Sequence, residues 1–304
     1  MSHNILVTGA TGFIGGRLVK GLLQKGHQVI ILKRSFSRID RIRDLLPHLY
    51  SYDIDRCDLV QPFREFEKID AIIHLATSYG RNQESLSDIV DVNTLFPLRL
   101  LEAASHFQVN CFLNTDTYFN KLPFPYQGLE GYSLSKRHFR EWGAQFARLQ
   151  KIHFVNISLE HVFGPGDGDS KFVPFLIRHL LKNAAPLDLT PGEQKRDFIY
   201  IEDVVSAFLY ILNHAICCPT SYQEYEVGTG QSVSLRTFIG TAHKLSHSIT
   251  PLNFGTIPYR EQEIMDSVAN IEQLVSLEWS PQYTLERALS LTIAHYASQT
   301  DRED

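Results

Sequence analysis

The sequence predicts an α/β chain built on a doubly wound, mostly parallel sheet, with a smaller mixed α/β region toward its C-terminal side. A glycine-spaced turn sits directly between an apolar run and an amphipathic one. Strand-like and helix-like segments alternate through the first half, and that alternation is lost beyond about residue 165. Alternation of this kind implies right-handed crossovers and a parallel sheet covered on both faces.

The segments follow in order. "NILVTGA" (4–10) reads as a buried strand. "GFIGGRLVKGLLQKG" (12–26) reads as a helix in which Ile14, Leu18 and Leu22 recur every four residues and Gly26 is placed to stop it. "HQVIILKR" (27–34), "AIIHLAT" (71–77) and "VNCFLNTDT" (109–117) are further strands, and "VDVNTLFPLRLLEAASHF" (90–107) has helical periodicity. A helix holding Tyr132 precedes "IHFVNISLEHVFGP" (152–165), strand-like until Gly164 and Pro165. Beyond it, "GPGDGDSKFVP" and "LTPGEQKRDF" are turn-rich.

Composition narrows the class. With 304 residues, 43% hydrophobic and 21% charged, the chain is globular rather than fibrous or disordered. A net charge of −5 argues against a nucleic-acid partner. Cys57, Cys111, Cys217 and Cys218 have no metal or redox spacing, and the 13 histidines show no ligand pattern, so no metal is expected. No secretory leader is visible, and no apolar run approaches the ~20 residues that span a bilayer. A cytoplasmic chain with no membrane partner is expected.

In "TGATGFIGG", Gly9, Gly12 and Gly15 fall between the first strand and the first helix, the setting in which a glycine loop cradles a pyrophosphate. A Rossmann-type domain is therefore expected over residues 1–163, with 198–228 returning to it and 164–304 forming mainly a substrate region. Thr11, Phe13 and Ile14 are counted with the glycines as cofactor contacts. The second strand ends in Lys33 and Arg34, with Arg38 close behind and no carboxylate before Asp40. Basic groups there suit a 2′-phosphate, so NADPH is favoured over NAD, a solvated basic loop being the alternative. Asp53, with Ile54 beside it, is the candidate for the adenine amino group. Tyr132 and Lys136, four apart on a helix, share one face. A lysine there favours the phenolate and lowers the tyrosine pKa. An ordinary helical pair is the alternative.

With "TGATGFIGG", "HLAT" (74–77), "NTDT" (114–117), "YSLSK" (132–136) and "RDFIYIEDV" (196–204) in this order, the chain resembles the extended short-chain dehydrogenase/reductase family of nucleotide-sugar epimerases, dehydratases and reductases. The resemblance runs from about residue 4 to "LEWSPQYTLERAL" (277–289). It implies that Thr115, Tyr132 and Lys136 are catalytic. It also implies that Leu75, Ala76 and Thr77 line the cofactor, that the His74 ring is structural, and that Asn93 positions the cofactor region. Family dehydratases carry Thr-Asp-Glu where this chain has Thr115-Asp116-Thr117, so dehydration is disfavoured. The passages around these motifs look most like the 4-ketoreductases of dideoxyhexose synthesis, the CDP-abequose and CDP-paratose synthase type. Those enzymes reduce the C4 ketone of CDP-4-keto-3,6-dideoxy-D-glucose with NADPH. An epimerase that retains NAD and a non-catalytic NAD(P)-binding protein stay open as alternatives. The resemblance places Asp116, Thr117, His161, Lys171, Phe172, Val173, Arg196 and Arg260 on the nucleotide-sugar side, His161 standing where most members have asparagine. It also suggests a homodimer through a four-helix contact.

Overall fold

The computed structural model describes residues 2–81, 83–121, 129–183 and 185–300. The chain divides into two compact units, one of Met1–Leu159, Val205–Glu226 and Ser276–Trp279, the other of Glu160–Val204, Val227–Val275 and Ser280–Asp304.

The first unit holds β1 (Asn4–Thr8), α1 (Phe13–Gln24), β2 (Gln28–Lys33), β3 (Leu49–Asp53), α2 (Gln61–Glu65), β4 (Ala71–His74), α3 (Leu86–Val90), α4 (Phe96–His106), β5 (Cys111–Thr117), α5 (Glu130–Arg148) and β6 (His153–Leu159). The second begins with β7 (His161–Phe163), α6 (Phe172–Leu181), β8 (Leu187–Leu189), β9 (Lys195–Arg196) and β10 (Phe198–Tyr200). α7 (Ile201–Cys217) leads back into the first unit, which gains β11 (Tyr222–Val227). The second then continues with β12 (Val233–Ser234), α8 (Leu235–Leu245), β13 (Leu252–Phe254), β14 (Asp266–Ser267), α9 (Glu272–Ser276) and α10 (Leu285–Thr300). The single strand-like passage 152–165 is thus two strands. β6 ends at Leu159, and β7 pairs with β10 in a separate small sheet.

The first unit is a doubly wound sheet. Its order is β11-β6-β5-β4-β1-β2-β3, and every neighbouring pair from β6 to β3 is parallel. Strands covered on both faces need continuous apolar runs, and Ile5–Val7, Val29–Leu32 and Ala71–Ile73 are buried without interruption. The order reverses between β1 and β4, and such a reversal opens a crevice at the carboxyl ends of the strands. Among the described residues, no helix is long and apolar enough to cross a membrane.

α3 and α4 are joined by a π-helical turn, Asp91–Leu95. Pro97, in the first turn of α4, has no N–H to return to the Asn93 carbonyl, which favours the wider turn. The helix expected over 90–107 therefore starts earlier, at Leu86, and widens at Asn93.

α5 is held on the sheet by three rings. Phe112 and Phe154 stack with centroids 5.7 Å apart, and Phe139 of α5 meets each edge-on at 5.8 and 5.9 Å. Burying each side chain contributes about 1.5–3 kcal/mol. Gly143, one turn beyond Phe139, lets the helix approach, because a Cβ there would lie 2.0 Å from Phe154 Cζ. Alanine normally gains up to ~1 kcal/mol over glycine inside a helix, but here it drives a methyl into the Phe154 ring, so that the ring or the helix must shift. Gly143→Ala is expected to destabilise the chain by about 1–3 kcal/mol in urea unfolding. A stabilised variant would show that α5 sits further from the sheet.

Candidate functional site

The turn after β1 is a cradle that only glycine fits. Gly9 has φ +68°, and a Cβ on it would lie 2.6 Å from Ala76 N; one on Gly15 would lie 2.1 Å from the Gly9 carbonyl. Gly12, extended, precedes α1, whose first turn has neither a capping side chain nor an acid. With no side-chain cap and no acid, the positive end of the helix dipole is left uncompensated, an arrangement suited to phosphate. Thr11, Phe13 and Ile14 lie half-buried in the same turn. At the reversal point, Thr8 Oγ1 accepts from Leu75 N and Ala76 N, 3.2 Å each, and pairs with His74 Nδ1 at 2.8 Å. His74 is fully enclosed; burial, then Lys136, hold its pKa well below the usual value, so its ring is neutral and structural. These features fit a dinucleotide.

Lys33 and Asp53 face each other across β2 and β3 and form an ion pair. The lysine charge is thus largely offset, and the Asp53 carboxylate has a partner within the sheet. Ile54 continues the backbone ladder through the Lys33 carbonyl at 2.9 Å. Arg34, its guanidinium 4.8 Å from the Phe36 ring centroid, and Arg38, almost fully exposed and 3.5 Å from Asp40, supply the cations of this loop.

The candidate chemical centre lies at the end of β5. Thr115, Asp116 and Thr117 end the strand, and Tyr132 and Lys136 come from the first turns of α5; all five are buried. Lys136 Nζ donates to the Thr115 carbonyl at 2.8 Å. Burial brings its pKa down to about 8, the Asp116 charge opposing. Burial also holds the Tyr132 phenol well above its ordinary pKa; Tyr79 and Asp116 add to this, and a hydrogen bond with Thr117 opposes it. This corrects the expectation that Lys136 makes the phenol acidic: the ammonium is turned to a backbone carbonyl, and burial moves the phenol the other way. Thr115 Oγ1 is buried with no hydrogen-bond partner among the described residues.

Asp116, expected on the substrate side, is directed inward. It accepts from Asn120 Nδ2 at 2.7 Å, its neighbour's N–H at 2.8 Å and Asn156 Nδ2 at 3.2 Å, and Arg140 lies 3.9 Å away. Asn93 is wholly buried and makes no outward contact. It accepts from Thr77 Oγ1 at 3.2 Å and Ser78 N at 2.8 Å, and donates to the Ser78 carbonyl at 2.8 Å and Ser135 Oγ at 3.0 Å. The wide turn before Pro97 aims it there. Tyr79, which sequence reasoning missed, stacks on Tyr132 with centroids 4.9 Å apart. Only its closeness to "HLAT" could have flagged it.

In the second unit the R-D-F motif is largely structural. Arg196 donates to the carbonyls of Lys195 and Ile264 and pairs with Glu263, so its guanidinium fastens the 263–267 segment rather than pairing with either neighbouring aspartate. Asp197 accepts from Thr229 N and Oγ1, Gly230 N and Ala269 N at 2.7–3.2 Å. Asp203 takes Gln282 N and Tyr283 N. His161 Nδ1 lies 3.9 Å from the buried Glu160 carboxylate, yet burial lowers its pKa. Lys171 pairs with Asp167 at 2.8 Å; Phe172 is partly exposed, Val173 buried and Arg260 exposed. Among the described residues, no group of His, Cys, Asp and Glu could hold a metal ion.

The buried ammonium has a measurable consequence. Between pH 8 and the unfolded lysine value of about 10.4, the unfolded chain binds more protons than the folded one, so stability climbs with pH. The unfolding free energy of the wild type relative to Lys136→Met is expected to increase by about 1–3 kcal/mol over that range. A flat difference would mean that the ammonium remains hydrated.

Comparison with known proteins agrees with this architecture. The model of the NAD dependent epimerase/dehydratase family matches residues 5–228. A protein of Salmonella typhimurium named CDP-abequose synthase is 41% identical over 294 residues, covering 95% of this chain and 97% of that protein. One of the same name from Salmonella muenchen is 37% identical, covering 95% and 96%. Among solved structures, the UDP-glucuronic acid 4-epimerase of Bacillus cereus, in complex with UDP-glucuronic acid and NAD, has a TM-score of 0.83 at 24% identity, covering 98% of this chain and 99% of that one. The chain belongs to the NAD-dependent epimerase/dehydratase family and is an NAD(P)-dependent enzyme of the extended short-chain dehydrogenase/reductase type.

Proposed function

We propose that the enzyme reduces the C4 ketone of a nucleotide-linked deoxysugar with NADPH, the best candidate being CDP-4-keto-3,6-dideoxy-D-glucose. The relatives named CDP-abequose synthase support nucleotide-linked deoxysugar synthesis as its setting. The observation that carries the reading is the set of Thr115, Tyr132 and Lys136 buried around the end of β5, with the Thr115 hydroxyl left open for a ligand oxygen. The basic loop of Arg34 and Arg38 favours a consumed NADPH over a retained NAD.

A bound nicotinamide supplies the hydride to the carbonyl carbon. Tyr132 gives its proton to the ketone oxygen, and the Thr115 hydroxyl donates a hydrogen bond to the same oxygen. The phenolate left behind is stabilised by Thr117 and by the Lys136 charge one turn along the same helix face. Asp116, spent on Asn120 and Asn156, cannot expel water as a dehydratase acid would. Gly9, Gly12 and Gly15 admit the pyrophosphate, and Arg34 and Arg38 bind the 2′-phosphate. Lys171 and Arg260 stay the resemblance's candidates for the sugar diphosphate. Exposed Leu134 and Trp142 on α5 supply an apolar strip for a homodimer. An epimerase retaining NAD is the second reading; the glycine cradle would serve it equally well.

Nucleotide-linked 4-ketosugars offered with NADPH or NADH and followed by nicotinamide absorbance test the reading. A CDP-linked substrate should consume NADPH, and isomerisation without added cofactor would refute reduction. Tyr132→Phe is expected to lose ~10²–10⁴ in kcat while NADPH still binds; full turnover would contradict the role. Arg34→Ala and Arg38→Ala should each weaken NADPH but not NADH, by about tenfold, as loss of a charge-assisted phosphate contact implies. Equal loss with both cofactors would assign the arginines elsewhere.

A further inference from the structure

Tyr79 is left over from the chemistry described so far. The residue before it, Ser78, is gripped on both sides of its peptide by Asn93, at 2.8 Å through N–H and 2.8 Å through carbonyl. The same Asn93 amide reaches Ser135 Oγ at 3.0 Å, and Ser135 Oγ donates to the Tyr132 carbonyl at 2.9 Å. One buried side chain therefore fixes both the 77–79 loop and the turn of α5 that carries the phenol. Between these two fixed points the rings of Tyr79 and Tyr132 lie face to face, 4.9 Å apart and inclined by 29°. The Arg81 guanidinium lies 5.3 Å from the Tyr79 centroid.

A phenol anchored only at its oxygen can still swing its ring about the Cβ–Cγ bond, and Thr117 anchors only the oxygen. A second aromatic plane removes that freedom. We propose that Tyr79 is the positioning residue of Tyr132: its ring fixes the plane of the proton-donating phenol and so, because the phenolic hydrogen prefers that plane, the direction in which the O–H is presented at the end of β5. Two side effects accord with this. Tyr79 shields the phenol from water, and after burial it is the largest influence keeping Tyr132 protonated. The role rests on the ketone-reduction reading only for its kinetic consequence; the geometry of the pair does not.

The test uses full-length protein with NADPH bound, labelled with 3-fluorotyrosine, the Tyr132 fluorine signal being identified by its loss in Tyr132→Phe. Tyr79→Phe keeps the ring and is expected to leave that signal sharp and kcat within twofold of wild type. Tyr79→Ala is expected to broaden or shift the signal and to lower kcat about tenfold, as small misplacements of a reacting group do, with the KM for NADPH unchanged. A Tyr132 signal and kcat unaltered in Tyr79→Ala would overturn the proposal. So would equal losses in both variants, or a loss of NADPH binding that accounts for the fall in kcat. If wild-type enzyme reduces no ketosugar, the reductase reading fails, and the fluorine signal alone decides the role of Tyr79.

Discussion

The site depends on one buried ammonium and the carbonyl that receives it. Lys136 comes from α5 and Thr115 from β5, and their 2.8 Å hydrogen bond joins the helix carrying the phenol to the strand carrying the hydroxyls. Removing either partner would leave a buried polar group unsatisfied, which costs about 1–3 kcal/mol for a neutral group and more for a charge. The same burial that makes the bond strong disfavours the charge, so the ammonium holds its proton less firmly than a lysine in water. The Tyr132 phenol is moved for the same reason: both side chains occupy one dry place, and desolvation acts on each in the direction of its neutral form. Proximity of a lysine to a tyrosine is therefore not enough to make a phenolate.

Around this bond the fold supplies two further constraints. The sheet reverses direction between β1 and β4, and Thr8 knits the two strand ends together where the glycine turn opens. The three packed rings of Phe112, Phe139 and Phe154 hold α5 down, so the helix that bears the phenol is fixed by apolar burial and then aligned by polar contacts. Stability and chemistry share α5.

Much of this was legible in the sequence, for physical reasons. The buried parallel strands announce themselves as unbroken apolar runs, and the loop of Gly9, Gly12 and Gly15 is legible because a strand and a helix flank it. Thr115, Tyr132 and Lys136 were singled out by the order of their motifs along the chain; Thr115 lies near the end of β5, and Lys136 of α5 reaches its carbonyl. What escaped depends on three-dimensional neighbours. Nothing in the spelling says that Asp116 would face Asn120 and Asn156, that Lys33 would meet Asp53 across a strand pair, or that Glu263 would meet Arg196 from 67 residues away. The sign of the phenol's pKa shift was misread because sequence shows charge and not burial. The π turn is legible only in retrospect, from a proline four residues after the asparagine it aims.

The claim at the centre is that hydride moves from a consumed cofactor to a sugar carbon while Tyr132 supplies the proton. NADPH carrying deuterium at the transferable position of nicotinamide C4, given to the enzyme with the CDP-linked 4-ketosugar, tests it most directly. The account requires one deuterium at sugar C4 for each NADPH oxidised. A product whose C4 carries no deuterium, or an isomerised sugar formed without net oxidation of the cofactor, would contradict it.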